Sequence, residues 1–378
     1  MNLSVTISKP LLNLAIQRVQ GAITERSLAH IGLRADGSHL HVTAADRMLA
    51  VFSKFPVEVK GQGVVFLPAK IFSDVVRELP DGNVSLETAD KQLRITAGER
   101  NEFMMKIPLV EEALWRDPPS FDSSNTTELP AAKLVYMIEQ VQFCVSHDSP
   151  RNYGTVGYLH RPGKGAGIRL VGSDGFRLSY CEVELPLPDE FLANGVCLSK
   201  KALGEVVRLG SEGFDRIRLS ISHDQTTLLA EVPDYQVFVR LSAVKYPKYA
   251  GVIPDNKNPK VLVSRNQLQH VAKRVLLAAD KSRALQLSFS ESSLTLSSRT
   301  MGSSESKETV RLDEFFGPKC DMVVNGKFLA EIFSTTPSDK VTLQFKDAED
   351  PIVVVPREEP TDCKSKHILV PIRETRGN

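Results

Sequence analysis

Lys70 and Arg77 stand seven residues apart in the stretch Leu67 to Leu79, two turns of a helix, and so project from one face. Ile71, Phe72, Val75, Val76 and Leu79 form the apolar stripe of the same helix. Fixed cations on a helix face suit phosphates, which are met without reading base sequence. The pattern recurs 131 residues on, where Lys201 and Arg208 flank Ala202, Leu203, Glu205, Val206 and Val207. A third copy lies 126 residues further, with Lys327, Phe328, Leu329, Glu331, Ile332 and Phe333, and with Ser334 in place of the second base. A second helical pattern repeats alongside it: Leu12 and Val19, Leu134 and Val141, Leu268 and Val275. The residue before each Val is Arg18, Gln140 and Arg274 in turn. A plainer reading pairs Lys70 with Asp74 and Lys201 with Glu205 along the helix, worth only about 0.2 to 0.5 kcal/mol each. Recurrence of the bases at matching positions favours a surface that faces a polyanion.

No other constellation offers chemistry. Arg161-Pro162-Gly163-Lys164-Gly165-Ala166-Gly167 lacks the spacing of a phosphate loop and has Gly165 where a Ser or Thr would reach magnesium, so it reads as a hairpin turn. His39 and His41 share a strand face but have no third metal ligand near them in sequence. The nucleophile-elbow and zinc-protease signatures are absent, and no catalytic residue, cofactor or metal is expected. Cys144, Cys181, Cys197, Cys320 and Cys363 are odd in number and widely spaced, which argues for reduced, structural thiols. Lys plus Arg number 47 against 46 Asp plus Glu, so binding a polyanion requires the bases to be segregated on one face.

The elements that must position these faces are repeated too. Ser8 can cap the first helix, which carries Leu11, Leu12, Ala15, Ile16 and Val19; Ser264 matches it in the third copy and Pro130 in the second. Ile31 to Val42 alternates around Asp36-Gly37 as a β-hairpin. Leu285-Gln286-Leu287 and Leu294-Thr295-Leu296 do the same around Ser290-Glu291-Ser292. Val84-Ser85-Leu86 with Leu93-Arg94-Ile95 has counterparts at Ile217-Arg218-Leu219 and Val341-Thr342-Leu343. Six strand, helix, hairpin, strand units make an α+β chain of three tandem domains, expected at 1–124, 125–250 and 251–378, with antiparallel sheet outweighing helix. Trp115 to Thr127 and Tyr246 to Pro259 have the composition of linkers. With 42% hydrophobic and 25% charged residues, no apolar run of membrane-spanning length and no signal-peptide pattern from Met1 to Ser8, the expected location is the cytoplasm, without membrane contact.

Three short motifs, in order, make the whole chain resemble the bacterial DNA polymerase III β subunit family of sliding clamps. Ser173-Asp174-Gly175-Phe176-Arg177-Leu178 is similar to the family's Thr-Asp-Gly-His-Arg-Leu, and Tyr246-Pro247-Lys248-Tyr249-Ala250-Gly251-Val252-Ile253-Pro254 to its Phe-Pro-Asp-Tyr-x-Arg-Val-Ile-Pro. The ending Val370-Pro371-Ile372-Arg373 is similar to Met-Pro-Met-Arg. The resemblance implies a non-catalytic ring that encircles duplex DNA without sequence preference, with sheets outside and helices lining a central channel. It implies a pocket for short partner peptides at Thr155, Ser173, Gly175, Phe176, Arg177, Leu178, Pro247, Val252, Ile368, Leu369, Val370, Pro371 and Ile372. The implied partners are the replicative polymerase catalytic subunit, an ATP-dependent clamp loader, and repair and other polymerases. Arg26 and Tyr153 are the further DNA contacts it implies. They join Arg18, Lys70, Arg77, Lys201, Arg208, Arg274 and Lys327.

Departures from the pattern are Phe176 for His, Gly251 for Arg, Ser282 for a large apolar residue and Ser149 for Gln, with Glu374 to Asn378 extending past the usual end. Together the first three predict a pocket more open on one side. A ring size follows from volume. With domains of about 125 residues as spheres of roughly 18 Å radius, rings of three, four and six leave holes of about 3, 7 and 18 Å radius. A duplex at least about 17 Å across therefore needs six domains, a homodimer. The alternatives are a scaffold that binds peptides and never DNA, and a hydrolase with a scattered site.

Overall fold

The computed structural model describes residues 2–23, 29–100, 102–111, 113, 115–117, 121, 125–163, 167–254, 260–300, 302–317 and 319–373. Among the described residues the α-helices are α1 (Lys9–Val19), α2 (Ala69–Glu78), α3 (Ala131–Gln142), α4 (Lys200–Gly210), α5 (Arg265–Val275) and α6 (Gly326–Thr335). The chain forms two compact units, Met1–Ala132 with Pro188–Phe191 and Lys201–Ser242, and Lys133–Leu187 with Leu192–Lys200 and Ala243–Asn378.

The first unit holds strands β1 (Ser4–Ser8), β2 (His30–Asp36), β3 (His39–Ala45), β4 (Leu49–Pro56), β5 (Glu58–Gly61), β6 (Gly63–Pro68), β7 (Asn83–Ala89), β8 (Gln92–Ala97), β9 (Phe103–Pro108) and β10 (Thr126–Pro130). The strands β15 (Arg216–Ile221), β16 (Thr227–Val232) and β17 (Tyr235–Arg240) complete it. They form a five-stranded sheet, β5-β1-β7-β8-β9, and an eight-stranded sheet, β10-β15-β16-β17-β4-β3-β2-β6. The second unit holds β11 (Val156–His160), β12 (Ile168–Ser173), β13 (Arg177–Val183), β14 (Val196–Ser199), β18 (Lys260–Ser264), β19 (Ala284–Phe289) and β20 (Ser293–Thr300). It also holds β21 (Ser304–Arg311), β22 (Glu314–Phe316), β23 (Cys320–Asn325), β24 (Lys340–Gln344), β25 (Ile352–Pro356) and β26 (Cys363–Leu369). Its sheets run β14-β11-β12-β13-β26-β25-β24-β18-β22 and β21-β20-β19-β23.

The repeat is visible strand by strand. Each of the six helices is followed by three consecutive antiparallel strands, and the last of these is β4, β9, β13, β17, β21 or β26. The strand before the first helix of a repeat pairs with the strand after its second helix, as β1 does with β7, β10 with β15 and β18 with β24. Last strands also pair between repeats. β4 lies against β17 with Leu49 opposite Val239, and β13 lies against β26 with Leu178 opposite Ile368.

Local chemistry explains the elements. Gly37 adopts φ +52° in the β2–β3 turn, so Leu33, Ala35, Leu40 and Val42 bury while His39 and His41 stay half-buried. His41 instead bonds Asp36 at 3.1 Å, and among the described residues no cluster could hold a metal. Phe72 and Val76 of α2, and Leu79 just after it, pack inward, each worth about 1.5 to 3 kcal/mol. Ile71 is an exception to the expected stripe: it points out, 44% exposed. Ser264 and Asn325 cap α5 and α6 through side-chain oxygens, but Ser8 makes no side-chain cap bond, and Pro10 in the first turn of α1 removes one amide that a cap would serve. The five cysteines are free thiols, four of them buried. β11 and β12 pair antiparallel on either side of the glycine-rich stretch read as a turn, of which 164–166 lie outside the described residues. The stretches read as linkers are held down by aromatic anchors. The Trp115 ring lies under the Arg34 guanidinium at 4.7 Å, and Tyr246 stacks on Tyr158 at 5.1 Å.

Candidate functional site

An apolar pocket lies in the second unit and starts from a turn. Asp174 Oδ1 accepts the amides of Phe176 (3.0 Å) and Arg177 (3.1 Å), while Ser173 Oγ accepts from Gly175 N and donates to the Arg177 carbonyl at 2.8 Å. Gly175 has φ +89°, a backbone conformation that side chains rarely adopt, and a Cβ there would displace the Arg151 guanidinium, so glycine is favoured. Arg177 then runs into the protein. Its side chain is 7% exposed, pairs with Asp174 (3.0 Å) and with Glu331 of α6, donates to the Phe143 carbonyl at 2.9 Å, and lies over the rings of Phe143 and Phe328. The turn is thereby tied to a helix of the next repeat.

Leu178 and Ile368, opposite each other across β13 and β26, supply the floor, with Val370 at its end. The segment from Tyr246 to Pro254 supplies the wall, bringing Pro247, Val252, Ile253 and Pro254. Tyr246 is sandwiched: flat on Tyr158 and edge-on to Tyr153 (6.1 Å) and Tyr249 (6.2 Å). Tyr249 is fixed in turn by bonds from its hydroxyl to His160 Nε2 (2.7 Å) and from Arg169 (2.9 Å). Burial lowers the affinity of His160 for a proton and raises that of the Tyr249 hydroxyl, so the pair stays neutral around pH 7. Lys346, Asp350 and Pro351 close the far rim of a cavity of about 750 Å³. An apolar floor rimmed by Arg151, Lys248 and Lys346 can bury one or two hydrophobic anchors of a ligand that carries some negative charge.

Of the thirteen residues expected here, Ser173, Gly175, Arg177, Leu178, Pro247, Val252, Ile368 and Val370 line the cavity. Five do not. Leu369 points the other way along its strand, fully buried in the core. Phe176 stands 62% exposed beside Arg151, 5.7 Å from its guanidinium. Thr155 turns its hydroxyl back to the Asn152 carbonyl, Pro371 is buried, and Ile372 bonds through its amide to the Val323 carbonyl at 2.7 Å. Tyr153, expected at DNA, also lines the pocket, edge-on to Tyr246. Ser282 takes no part, its amide and hydroxyl both donating to Asp280. Arg151, Tyr246 and Tyr249 were missed, although two aromatics in a proline-rich stretch were a readable sign. Lys346, Asp350 and Pro351 reach the rim only through the order of β24, β25 and β26, which leaves no local signal.

The helix bases are unequal. Lys70, Arg77, Arg208 and Lys327 are exposed, Arg77 with only a long contact to Asp74 (3.5 Å) and Arg208 reaching Glu205 at 3.3 Å. These i,i+3 contacts replace the expected Lys70–Asp74 and Lys201–Glu205 pairs. Lys201 is half-buried on Asp46 instead. Arg274 is exposed but doubly bonded to Glu308, at 2.9 and 2.5 Å. Arg18 does not face solvent: it is buried, held by Glu212 at 2.7 Å and stacked on Phe55 and Tyr235. Its guanidinium is spent on packing within the first unit. Arg26 lies outside the described residues.

Comparison with known proteins agrees with the repeat. The N-terminal, central and C-terminal domains of the DNA polymerase III beta subunit match residues 3–112, 128–248 and 250–373. The beta sliding clamps of Caulobacter vibrioides and Synechococcus elongatus are 26% and 25% identical, over 98% and 96% of this chain and 100% and 97% of theirs. The crystal structure of the sliding clamp from Bartonella birtlesii, bound to griselimycin, superposes with a TM-score of 0.90 at 23% identity, covering 99% of this chain and all of that one. That of the beta subunit from Thermotoga maritima gives 0.86 at 23%, with the same coverage. With all three of its domains matched in order along nearly the whole chain, the protein belongs to the DNA polymerase III beta subunit family, the non-catalytic sliding clamps of DNA replication.

Proposed function

We propose that two copies of this chain close head to tail into a ring around duplex DNA, each copy contributing three domains, 1–124, 125–250 and 251–378. One observation carries this reading. Within the chain, the last strand after the first helix of a repeat pairs with the last strand after the second helix of the following repeat or unit: β4 with β17, and β13 with β26. The same rule leaves two strands over, β21 and β9, each bonded along one edge only among the described residues. An unpaired edge is a template for another strand. β21 of one copy against β9 of another repeats the junction already used twice, and a heterologous contact of this kind either closes into a ring or runs on as a filament. The volume argument selects closure at six domains.

Inside such a ring, Lys70, Arg77, Arg208 and Lys327 meet phosphates, with Arg274 exchanging Glu308 for DNA. These contacts are few and solvated, so they hold the duplex weakly while enclosure prevents escape, which is what sliding demands. The pocket at Leu178 and Ile368 takes short peptides of the replicative polymerase catalytic subunit, of repair and other polymerases, and of the ATP-dependent loader that opens the ring. The site of action is the cytoplasm. The test is topological: protein loaded on closed circular DNA stays bound and is lost when the circle is cut. Equal loss from intact and cut circles would overturn enclosure.

A further inference from the structure

The first unit contains a second cleft, of about 650 Å³, built by the same device as the pocket in the second. Asp46 Oδ1 accepts the amides of Met48 (2.7 Å) and Leu49 (2.9 Å), as Asp174 does for Phe176 and Arg177. In the matching register Ala50 of β4 lies opposite Phe238 of β17, as Leu178 of β13 lies opposite Ile368 of β26. The connecting stretch after the first repeat, through Ala113, Arg116 and Asp117, forms the wall that Tyr246 to Pro254 form in the other pocket. Even the tether corresponds. Asp46 is held by Lys201 of α4, and the Asp174 turn, through Arg177, by Glu331 of α6.

The lining differs in chemistry. Its floor is aromatic, with Phe52, Phe66 and Phe238, and Phe121 already meets Phe238 at 5.8 Å with the rings tilted by 47°, so the floor accepts a further ring at an angle and not stacked flat. Its rim is basic. Arg47, Arg116 and Arg240 are exposed and none has a carboxylate partner among the described residues. Both acids of the cleft are already matched, Asp46 by Lys201 and Asp117 by Arg34 at 2.6 Å. We propose that this cleft is a second peptide-docking site, repeat-related to the first, which takes a short acidic segment of a partner protein carrying an aromatic anchor. Three unmatched guanidinium groups around an apolar floor supply the charge complementarity, and planar forks bind carboxylates two-pronged. Single-stranded nucleic acid fits less well. Phe52 and Phe238 meet edge to face, 82° apart, and Phe66 and Phe238 are buried, so no open ring face is offered for base stacking.

The inference rests on the proposed pocket at Leu178 for the class of ligand, and its test separates the two. The probe is the peptide Glu-Asp-Phe-Asp-Leu-Glu, labelled with fluorescein for titration and carrying benzoylphenylalanine in place of Phe for cross-linking to the full chain. Cross-links are expected at 44–52 and 238–240 as well as at the first pocket. The triple variant Arg47→Glu, Arg116→Glu, Arg240→Glu should weaken the cleft's binding at least tenfold and leave the cross-links at 173–178 and 368–370 intact. Val252→Glu with Val370→Glu should do the reverse. Cross-links confined to the first pocket, or a cleft phase indifferent to the triple variant, overturn the proposal. Labelling of the cleft alone upholds it and sinks the pocket reading, whereas labelling of neither sinks both. A ten-residue oligothymidylate that competes for the cleft where the peptide does not would assign it to nucleic acid and overturn the proposal.

Discussion

Arg177 is the residue through which the pocket turn is held to the next repeat, and Arg177→Met isolates that role by keeping an unbranched apolar side chain between Phe143 and Phe328 while removing the charge. Three partners are stranded. Asp174, 12% exposed, keeps two backbone amides and loses its cation; the Phe143 carbonyl loses a donor; Glu331, 35% exposed, rehydrates at small cost. Removing one member of a fully buried pair costs about 3 to 5 kcal/mol. The retained amides and the partial exposure of Glu331 bring the expectation here to about 2 to 3 kcal/mol. Native-state hydrogen exchange at the amides of Phe176 and Leu178 reads the opening of the turn directly, free of the multiple unfolding steps of a long chain. Binding of the probe peptide to this pocket should weaken about tenfold or more, since a misplaced turn shifts Gly175 and Leu178 together and each tenfold is about 1.4 kcal/mol. Glu331→Gln, made alone and in combination, completes a cycle. If the two changes add to within about 0.5 kcal/mol, or the exchange rates do not move, the tether is not energetic and the reasoning fails.

Gly21→Ala should destabilise the first unit by about 1 to 3 kcal/mol, because its new Cβ falls 1.9 Å from Glu205 Oε1; adding Glu205→Ala should restore the melting temperature if that clash is the cause. Glu205 is buried beside Arg208, and one of its oxygens has no hydrogen-bond partner. Burial raises its proton affinity above the ordinary carboxylate range, so the folded state is favoured in acid and loses that advantage as pH rises through the raised value. Glu205→Gln should therefore stabilise at neutral pH, with a gain that vanishes toward pH 4 in parallel urea titrations. His367, fully buried between Ser179 Oγ (3.0 Å) and the Phe143 ring, has its proton affinity pushed down to about 3 by burial. The unfolded chain takes up that proton from about pH 6.5 downward, so this stability is present above 6.5 and drains away as pH falls toward 3. His367→Gln should flatten the acid limb of the second unit's stability curve; an unchanged limb would show that His367 does not set it.

Much of this was legible because it was written three times. A single amphipathic helix at Lys70 says little, but copies at Lys201 and Lys327 expose the repeat, and the alternation around Asp36-Gly37 or Ser290 to Ser292 supplies the hairpins. Side-chain fate was less legible wherever it depended on a distant partner. Nothing near Arg18 announces Glu212, nor does anything near Lys201 announce Asp46. Periodicity reports which face a residue occupies and not which residue comes to meet it. Ile71 shows the complementary failure, an apolar residue left exposed by a helix that buries Phe72, Val76 and Leu79 of its stripe but leaves Val75 half-buried and Ile71 out.

The unequal helix faces bear on how a repeat protein divides labour. Where two repeats meet inside the chain, the charged residues of the second helix turn inward to secure the junction: Lys201 to Asp46, Glu331 to Arg177. α2 has no such duty, since the strand that ends its half-repeat, β9, has no strand on its outer edge among the described residues. Among the described residues its Lys70 has no ion pair and Arg77 keeps only a distant contact with Asp74, which makes α2 the best-exposed basic face of the three. If pairing of β9 with β21 of a second copy follows the internal rule, the turn after β20 and the face of α2 should be drawn into the same kind of tether. Lys70 would then be half-protected on assembly. Lysine acetylation with acetic anhydride, read at Lys70 and Lys327 as protein concentration rises, distinguishes the cases. Protection of Lys70 alone marks it as a junction residue; equal reactivity of the two throughout the assembly range leaves Lys70 to the duplex and breaks the parallel with Lys201.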